Sequence, residues 1–308
     1  MSSLDLLIHT PPLLYGSVAL FTLAVGSFLN VVIHRLPLMM EREWRRECAQ
    51  LAEAEAAATE AAGSAPPAAP SPPTPTPAPP LSLARPGSHC PQCGHPIRAW
   101  ENIPLLSFLL LRGRCSACHQ PIGLRYPFVE ALTALLSVLV VWRLGVSWEA
   151  AAALLLTWGL IALAFIDADT QLLPDSITLP LLWLGLLISL NGWFTSPREA
   201  ILGAALGYLF LWSVYQLFKL ATGREGMGYG DFKLFALFGA WLGWQALPLI
   251  LILSSLVGAV IGLILLARSG KDRHTPLPFG PYLAAAGWIA LLWGEGISGA
   301  YLRWSGLG

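Results

Sequence analysis

The chain is short of charge. Lys, Arg, Asp and Glu together make up 12% of its 308 residues, about half the share an ordinary soluble domain carries. That deficit excludes a soluble globular fold. The 18 basic and 18 acidic residues cancel, so net charge says little about partners, and no nucleic acid is expected among them. A secretory signal is also missing. Met1 to Pro12 has no basic region, and the first apolar run lacks a small-residue cleavage site, so that run is expected to remain as an anchor. No internal repeat and no Rossmann-like glycine fingerprint is found.

Hydrophobic residues are abundant instead, at 55%, with a mean hydropathy of +0.61 and 13 Trp. Apolar stretches of roughly 17–24 residues recur, enough to cross ~30 Å of hydrocarbon, and indole rings favour the membrane interface. The expected fold class is an all-α polytopic membrane protein with about eight transmembrane helices and a small cytoplasmic zinc-binding module. The spans are read as Leu13–Ile33, Phe128–Leu144, Trp148–Ile166, Ile177–Phe194, Ala200–Phe218, Phe232–Leu242, Trp244–Ala267 and Phe279–Trp293. The sixth is short for a crossing, and one longer span through Pro248 is the competing seven-span reading. If the segment after His34 is cytoplasmic, fifteen of the 18 Lys and Arg residues fall inside and only Arg143, Arg198 and Arg303 fall outside. The positive-inside bias selects this orientation. It also favours eight spans, since seven would export the Arg268–Arg273 cluster. A bacterial inner membrane is the expected location.

Three units follow from this division. Residues 1–36 hold the first span, 37–126 a cytoplasmic insertion, and 127–308 the membrane core. Within the insertion, Glu41 to Glu60 is charged and Ala-rich and is expected to continue as a helix. Residues 61–80 are dominated by Ala and Pro, including Ser71-Pro72-Pro73-Thr74-Pro75-Thr76-Pro77. Such a composition cannot bury enough surface to fold and predicts an extended linker. Residues 88–120 form a cysteine module. Cys90-Pro91-Gln92-Cys93 and Cys115-Ser116-Ala117-Cys118 are paired CxxC knuckles 21 residues apart. Two such turns complete a tetrahedral four-sulfur site, for which zinc is the leading metal. A reducing cytoplasmic setting disfavours disulfides. A rubredoxin-like iron site is an alternative. His95 and His119 are expected to be solvated or to support the ligands, and Cys48 is expected to be an ordinary thiol. A closed site is structural and rigidifies a segment too small to fold alone.

Carboxylates at the same inferred face carry the chemistry. Asp167, Asp169 and Asp175 are placed in a turn between spans, and Asp231 follows Gly226, Gly228 and Gly230 at the entrance of the sixth span. Ionisable groups near hydrocarbon are functional candidates. Two carboxylates in proximity share a proton, so one can activate a water while the other, protonated, stabilises an oxyanion. The glycines permit positive φ and close approach of a substrate backbone. Asp175 is expected to be an N-cap of the fourth span; Asp231 as a cap, and Asp169 as a solvated residue or loop cap, are the plainer alternatives. The residues alone do not choose between Asp167 and Asp169.

Taken together, Gly26-Ser27-Phe28-Leu29-Asn30-Val31-Val32-Ile33-His34-Arg35-Leu36-Pro37, the two knuckles, Trp100-Glu101-Asn102-Ile103-Pro104, Arg125-Tyr126-Pro127 before Glu130, Ile166-Asp167 through Asp175, Gly228-Tyr229-Gly230-Asp231-Phe232-Lys233 and Pro278-Phe279-Gly280-Pro281 closely resemble the type IV prepilin peptidase family. The Ala/Pro-rich linker is the main departure. The resemblance implies an aspartic peptidase of the GxGD type with Asp167 and Asp231 as the catalytic pair. It also implies prepilin and pseudopilin substrates of type IV pili and type II secretion, cut just before a hydrophobic helix at the cytoplasmic membrane face. Many members also N-methylate the new terminus with S-adenosylmethionine, and the four-cysteine domain usually accompanies that bifunctional form. A GxGD peptidase that cuts within hydrophobic helices is the nearest alternative, and a non-enzymatic transporter or secretion component is a second.

Overall fold

The computed structural model describes residues 10–61, 81–269 and 278–306. The expected linker, apart from Ala61, and the cations Lys271 and Arg273 lie outside the described residues. Among the described residues, nine α-helices follow in order: α1 Pro11–Ala61, α2 Leu106–Leu110, α3 Arg125–Leu144, α4 Trp148–Thr170, α5 Asp175–Ser189, α6 Pro197–Thr222, α7 Tyr229–Leu242, α8 Leu247–Ser269 and α9 Gly280–Ser305. Among the described residues, β-structure is confined to two isolated bridges in the cysteine module.

The eight apolar helices fall where hydropathy places them. Six of them (α1, α3, α4, α6, α8 and α9) are long and apolar enough to cross a membrane, while α5 has 15 residues and α7 has 14. The chain breaks at Gly243, where φ is 77°, and a short 3-10 turn precedes α8. This is the eight-helix arrangement, with no continuous helix through Pro248. At ~1.5 Å per residue α7 reaches about 21 Å, less than a hydrocarbon layer. Its position explains how a short helix is tolerated. Every residue from Leu234 to Trp241 is buried, the pattern of a helix sheathed by others and not facing lipid.

Small residues let the sheath close. Gly203 of α6 and Gly239 of α7 meet backbone to backbone, and a Cβ on either would strike the other. Gly287 of α9 lies against the Phe238 ring, and Gly185 of α5 against Trp241. Without a strong hydrophobic drive between helices in lipid, this close approach supplies much of the association.

Contacts at the helix ends set the directions. At one end Asn30 donates to the Tyr126 carbonyl, Arg125 pairs with Asp169, Lys233 pairs with Asp175, and the Gly280 amide donates to Asp167. At the other end Arg143 donates to the Leu292 carbonyl and Gln245 to Glu199. The eight helices therefore alternate in direction. The start of α3, the ends of α4 and α6, the starts of α5, α7 and α9, and the cysteine module share one face. α1 runs on through Pro37 without a break and carries its charged stretch beyond that face.

Candidate functional site

Asp167 sits in the last turn of α4, closed by Gln171 in a left-handed conformation whose amide donates to the Asp167 carbonyl. Asp231 occupies the third position of α7, after Gly228 as N-cap. The two carboxylates are 5% and 8% exposed. They face one cavity of about 1000 Å³ and are near enough to interact electrostatically. The Gly280 amide, 113 positions along the chain, donates to Asp167 Oδ2 at 2.9 Å. A Cβ at position 280 would stand 2.6 Å from that oxygen. Glycine is thus required there for the carboxylate to keep its place. The Gly228 amide faces the Asp231 carboxylate.

The cavity is walled by the loop from Gln171 to Leu173, by Glu225 to Tyr229, by Pro278 and Phe279, and by Met40, Glu43, Trp44 and Glu47 of α1. The cavity thus lies between α1 and the two aspartates.

Two expectations need correction. Asp167, Asp169 and Asp175 do not share a turn, because α4 continues to Thr170 and α5 begins at Asp175. Residues two apart on a helix point to different sides. Asp169 accordingly turns away and pairs with Arg125 Nη2 at 2.6 Å, and it does not line the cavity. Asp175 is not an N-cap: Pro174 holds that position, and no side-chain cap bond forms. Its carboxylate instead takes two bonds from Lys233 Nζ, at 2.6 and 2.8 Å, tying α5 to α7.

The three glycines before Asp231 also differ from expectation. None has positive φ. A Cβ on Gly230 would lie 2.7 Å from Leu173, and one on Gly226 would lie 2.8 Å from the Phe218 ring. These two glycines let α7 and its approach loop pack closely. Gly228 has only Asp231 Oδ2 within 4 Å of its Cβ position, leaving backbone open to the cavity.

The cysteine module is built from two knuckles of one design. The Cys90 amide donates to the His95 carbonyl and the Cys115 amide to the Gln120 carbonyl; Gly94 and His119, both at positive φ, donate back to Cys90 and Cys115. The bridges His89–Pro96 and Arg114–Pro121 close the two loops. All four sulfurs lie within 4.8 Å of one another, with Cys90 Sγ and Cys118 Sγ at 3.8 Å. A tetrahedron of ~2.3 Å metal–sulfur bonds places sulfurs about 3.8 Å apart, so these residues fit a four-thiolate metal site. The amides of Cys93 and Gln92 lower the Cys90 thiol to about 6, and those of Cys118 and Ala117 lower Cys115. At Cys118 the Gln120 amide is outweighed by burial and the neighbouring sulfurs, which push the thiol up to about 12. Thiols so close cannot all ionise without a cation among them. His119 is exposed, His95 faces Glu101 at 3.6 Å, and Cys48 is exposed on α1.

Two carboxylates outside the expected site position the module. Glu101 accepts from the Arg98 amide at 2.8 Å and from the Ser116 hydroxyl, so it joins the knuckles and is held below the usual carboxylate range. Glu130, buried on α3, accepts from the Leu105 amide at 2.9 Å. Their place in sequence motifs marked them, but their partners are visible only in three dimensions.

The bacterial Peptidase A24 N-terminal domain model matches residues 20–144, and the type IV leader peptidase family model matches residues 154–263. A prepilin leader peptidase/N-methyltransferase of Pseudomonas aeruginosa is 55% identical over 306 residues, covering 99% of each chain. Proteins of the same name from Stutzerimonas stutzeri and Aeromonas hydrophila are 55% and 56% identical, covering 92% of each chain for the first and, for the second, 96% of this chain and 97% of the relative. No solved structure matches.

Proposed function

The chain belongs to the type IV leader peptidase family, and from that premise we propose that Asp167 and Asp231 perform its peptide cleavage. The protein is a multi-pass inner-membrane enzyme that removes prepilin leader peptides and N-methylates the product. The observation that carries the assignment of residues is the single cavity onto which both buried aspartates open.

The chemistry follows from the pair. One aspartate remains protonated beside its partner, and the two titrate as a unit. The ionised carboxylate takes a proton from a water as that water attacks the scissile carbonyl. The protonated carboxyl hydrogen-bonds the developing oxyanion, and collapse of the intermediate returns a proton to the departing amine. The Gly280 amide fixes Asp167, and the Lys233–Asp175 pair fixes α7 against α5. The open backbone at Gly228 admits the substrate chain beside Asp231.

The face that holds the aspartates, the module and the extension of α1 is the cytoplasmic one on the positive-inside rule. Pseudopilins join prepilins as substrates, and the bilayer itself is the other partner. Cys90, Cys93, Cys115 and Cys118 would hold zinc, which would supply structure to the module. The second reaction consumes S-adenosylmethionine as co-substrate.

Replacing Asp167 or Asp231 by Asn tests the reading in a cleavage assay with purified prepilin. Each variant is expected to lose cleavage by about 10²–10⁴-fold while still inserting in the membrane. Asp169→Asn is expected to retain it. Full cleavage by either of the first two variants refutes the pair.

A further inference from the structure

Between the knuckles runs Ile103-Pro104-Leu105-Leu106-Ser107-Phe108-Leu109-Leu110-Leu111, closed by Arg112 and Arg114. Its middle forms α2, which has no buried residue. Leu106, Leu109 and Leu110 are 49%, 70% and 68% exposed, and Trp100 and Ile103 extend the same apolar run. A contiguous exposed apolar patch beside a folded metal module is an interaction surface.

Depth tells what covers it. The Leu105 amide is bonded to Glu130, which lies in the second turn of α3. The Glu130 Cα packs against Gly26 of α1, where an added Cβ would come within 2.8 Å. Gly26 precedes Arg35, the first Lys, Arg, Asp or Glu in α1, by a helical rise of about 13 Å. Leu105 is therefore held against the first two turns of α3, between the level of Gly26 and that of Arg35. Exposed Phe28 of α1 and Phe128 of α3 lie within a turn of Gly26 and Glu130, so the leucines of α2 sit at the level of a lipid-facing belt. A backbone held at positive φ (Leu105, 56°) starts the segment, and Arg112, also positive, ends it. The exposed guanidinium groups of Arg112 and Arg114 lie at its exit, suited to anionic headgroups.

We propose that α2 and its flanking residues dip into the bilayer interface and dock the metal module on the membrane, with Arg112 and Arg114 at the phosphate level. The segment then acts as an interfacial anchor, holding the module at a fixed height beside the cavity. The occupant is lipid; a prepilin's hydrophobic helix is the competitor that the experiment must exclude.

The full-length protein in nanodiscs of phosphatidylethanolamine and phosphatidylglycerol provides the test. A benzophenone amino acid replaces Leu109, or in a second variant Leu110. The same group at Leu20, 73% exposed on α1, serves as the lipid-facing control, and at Gln92 on the first knuckle as the aqueous control. After illumination, intact mass is expected to show phospholipid adducts at positions 109 and 110 severalfold above Gln92 and comparable with Leu20. Adducts at Leu20 alone overturn the proposal. So does crosslinking of positions 109 and 110 to added prepilin in place of lipid.

Discussion

Two positions separate Asp167 from Asp169, and on an α-helix that places them on different sides. One turns into the cavity with Asp231, and the other pairs with Arg125 at the surface. Position 280 has a similar all-or-none character. Gly280→Ala puts a methyl group 2.6 Å from the Asp167 oxygen, so the carboxylate must shift. A displacement of about 1 Å at a reacting group costs on the order of 10² in rate. The expected outcome is a loss of that order in prepilin cleavage, with metal content and membrane insertion unchanged. None of this was readable from single residues. Pro278-Phe279-Gly280-Pro281 stood out as a motif, but nothing in its composition indicated an aspartate 113 positions away.

At the scale of elements, packing and metal binding make separate demands. Gly203 and Gly239 bring α6 and α7 into backbone contact. Gly203→Val overpacks that contact, for which the usual cost is about 1–3 kcal/mol. A lower melting temperature in detergent is expected, together with reduced cleavage because α7 carries Asp231. The cysteine module responds to pH instead. Cys90 is lowered to about 6 in the folded state from an ordinary thiol value of 9.0. A thiol lowered on folding stabilises the fold fully above its ordinary value and loses that contribution as pH falls through the lowered one. Protons compete with the metal for the thiolates, so metal release to a chelator is expected to accelerate as pH falls. Cys90→Ser or Cys118→Ser should release the metal at neutral pH. Undiminished metal content in both variants, measured by mass spectrometry, would count against a four-sulfur site. The knuckles were legible because metal-ligand spacing is local. The roles of Glu101 and Glu130, which join the module to itself and to α3, were not.

For the whole molecule, the alternation of eight helices gives a labelling pattern. Cysteine placed at Gln92 and at Arg224 should be modified from the same side of the membrane. Cysteine placed at Ser147 and at Asn191 should be modified from the other. Impermeant thiol reagent on intact cells and on inverted vesicles reads this directly, and modification of Arg224 and Gln92 from opposite sides would defeat the arrangement. Hydropathy and charge placed the eight segments, because burial in lipid acts on every residue of a span. They marked α7 as short but did not show that it is an inner helix, since a helix sheathed by protein and one facing lipid are both apolar.

The scarcity of charge and the recurrence of long apolar runs were enough to determine a polytopic membrane protein, and two CxxC turns were enough to determine a candidate metal site. Both follow from chemistry that acts within a few residues. The residues by themselves left Asp167 and Asp169 open, the family resemblance pointed to Asp167, and the tertiary structure places Asp167 and not Asp169 on the cavity with Asp231. Hydropathy ended the third span at Ile166 and left three carboxylates in a turn, whereas α4 continues to Thr170. That single extra turn fixes each side chain's direction. The direction counts only against α7 and α9, whose positions depend on glycine contacts far apart in the chain.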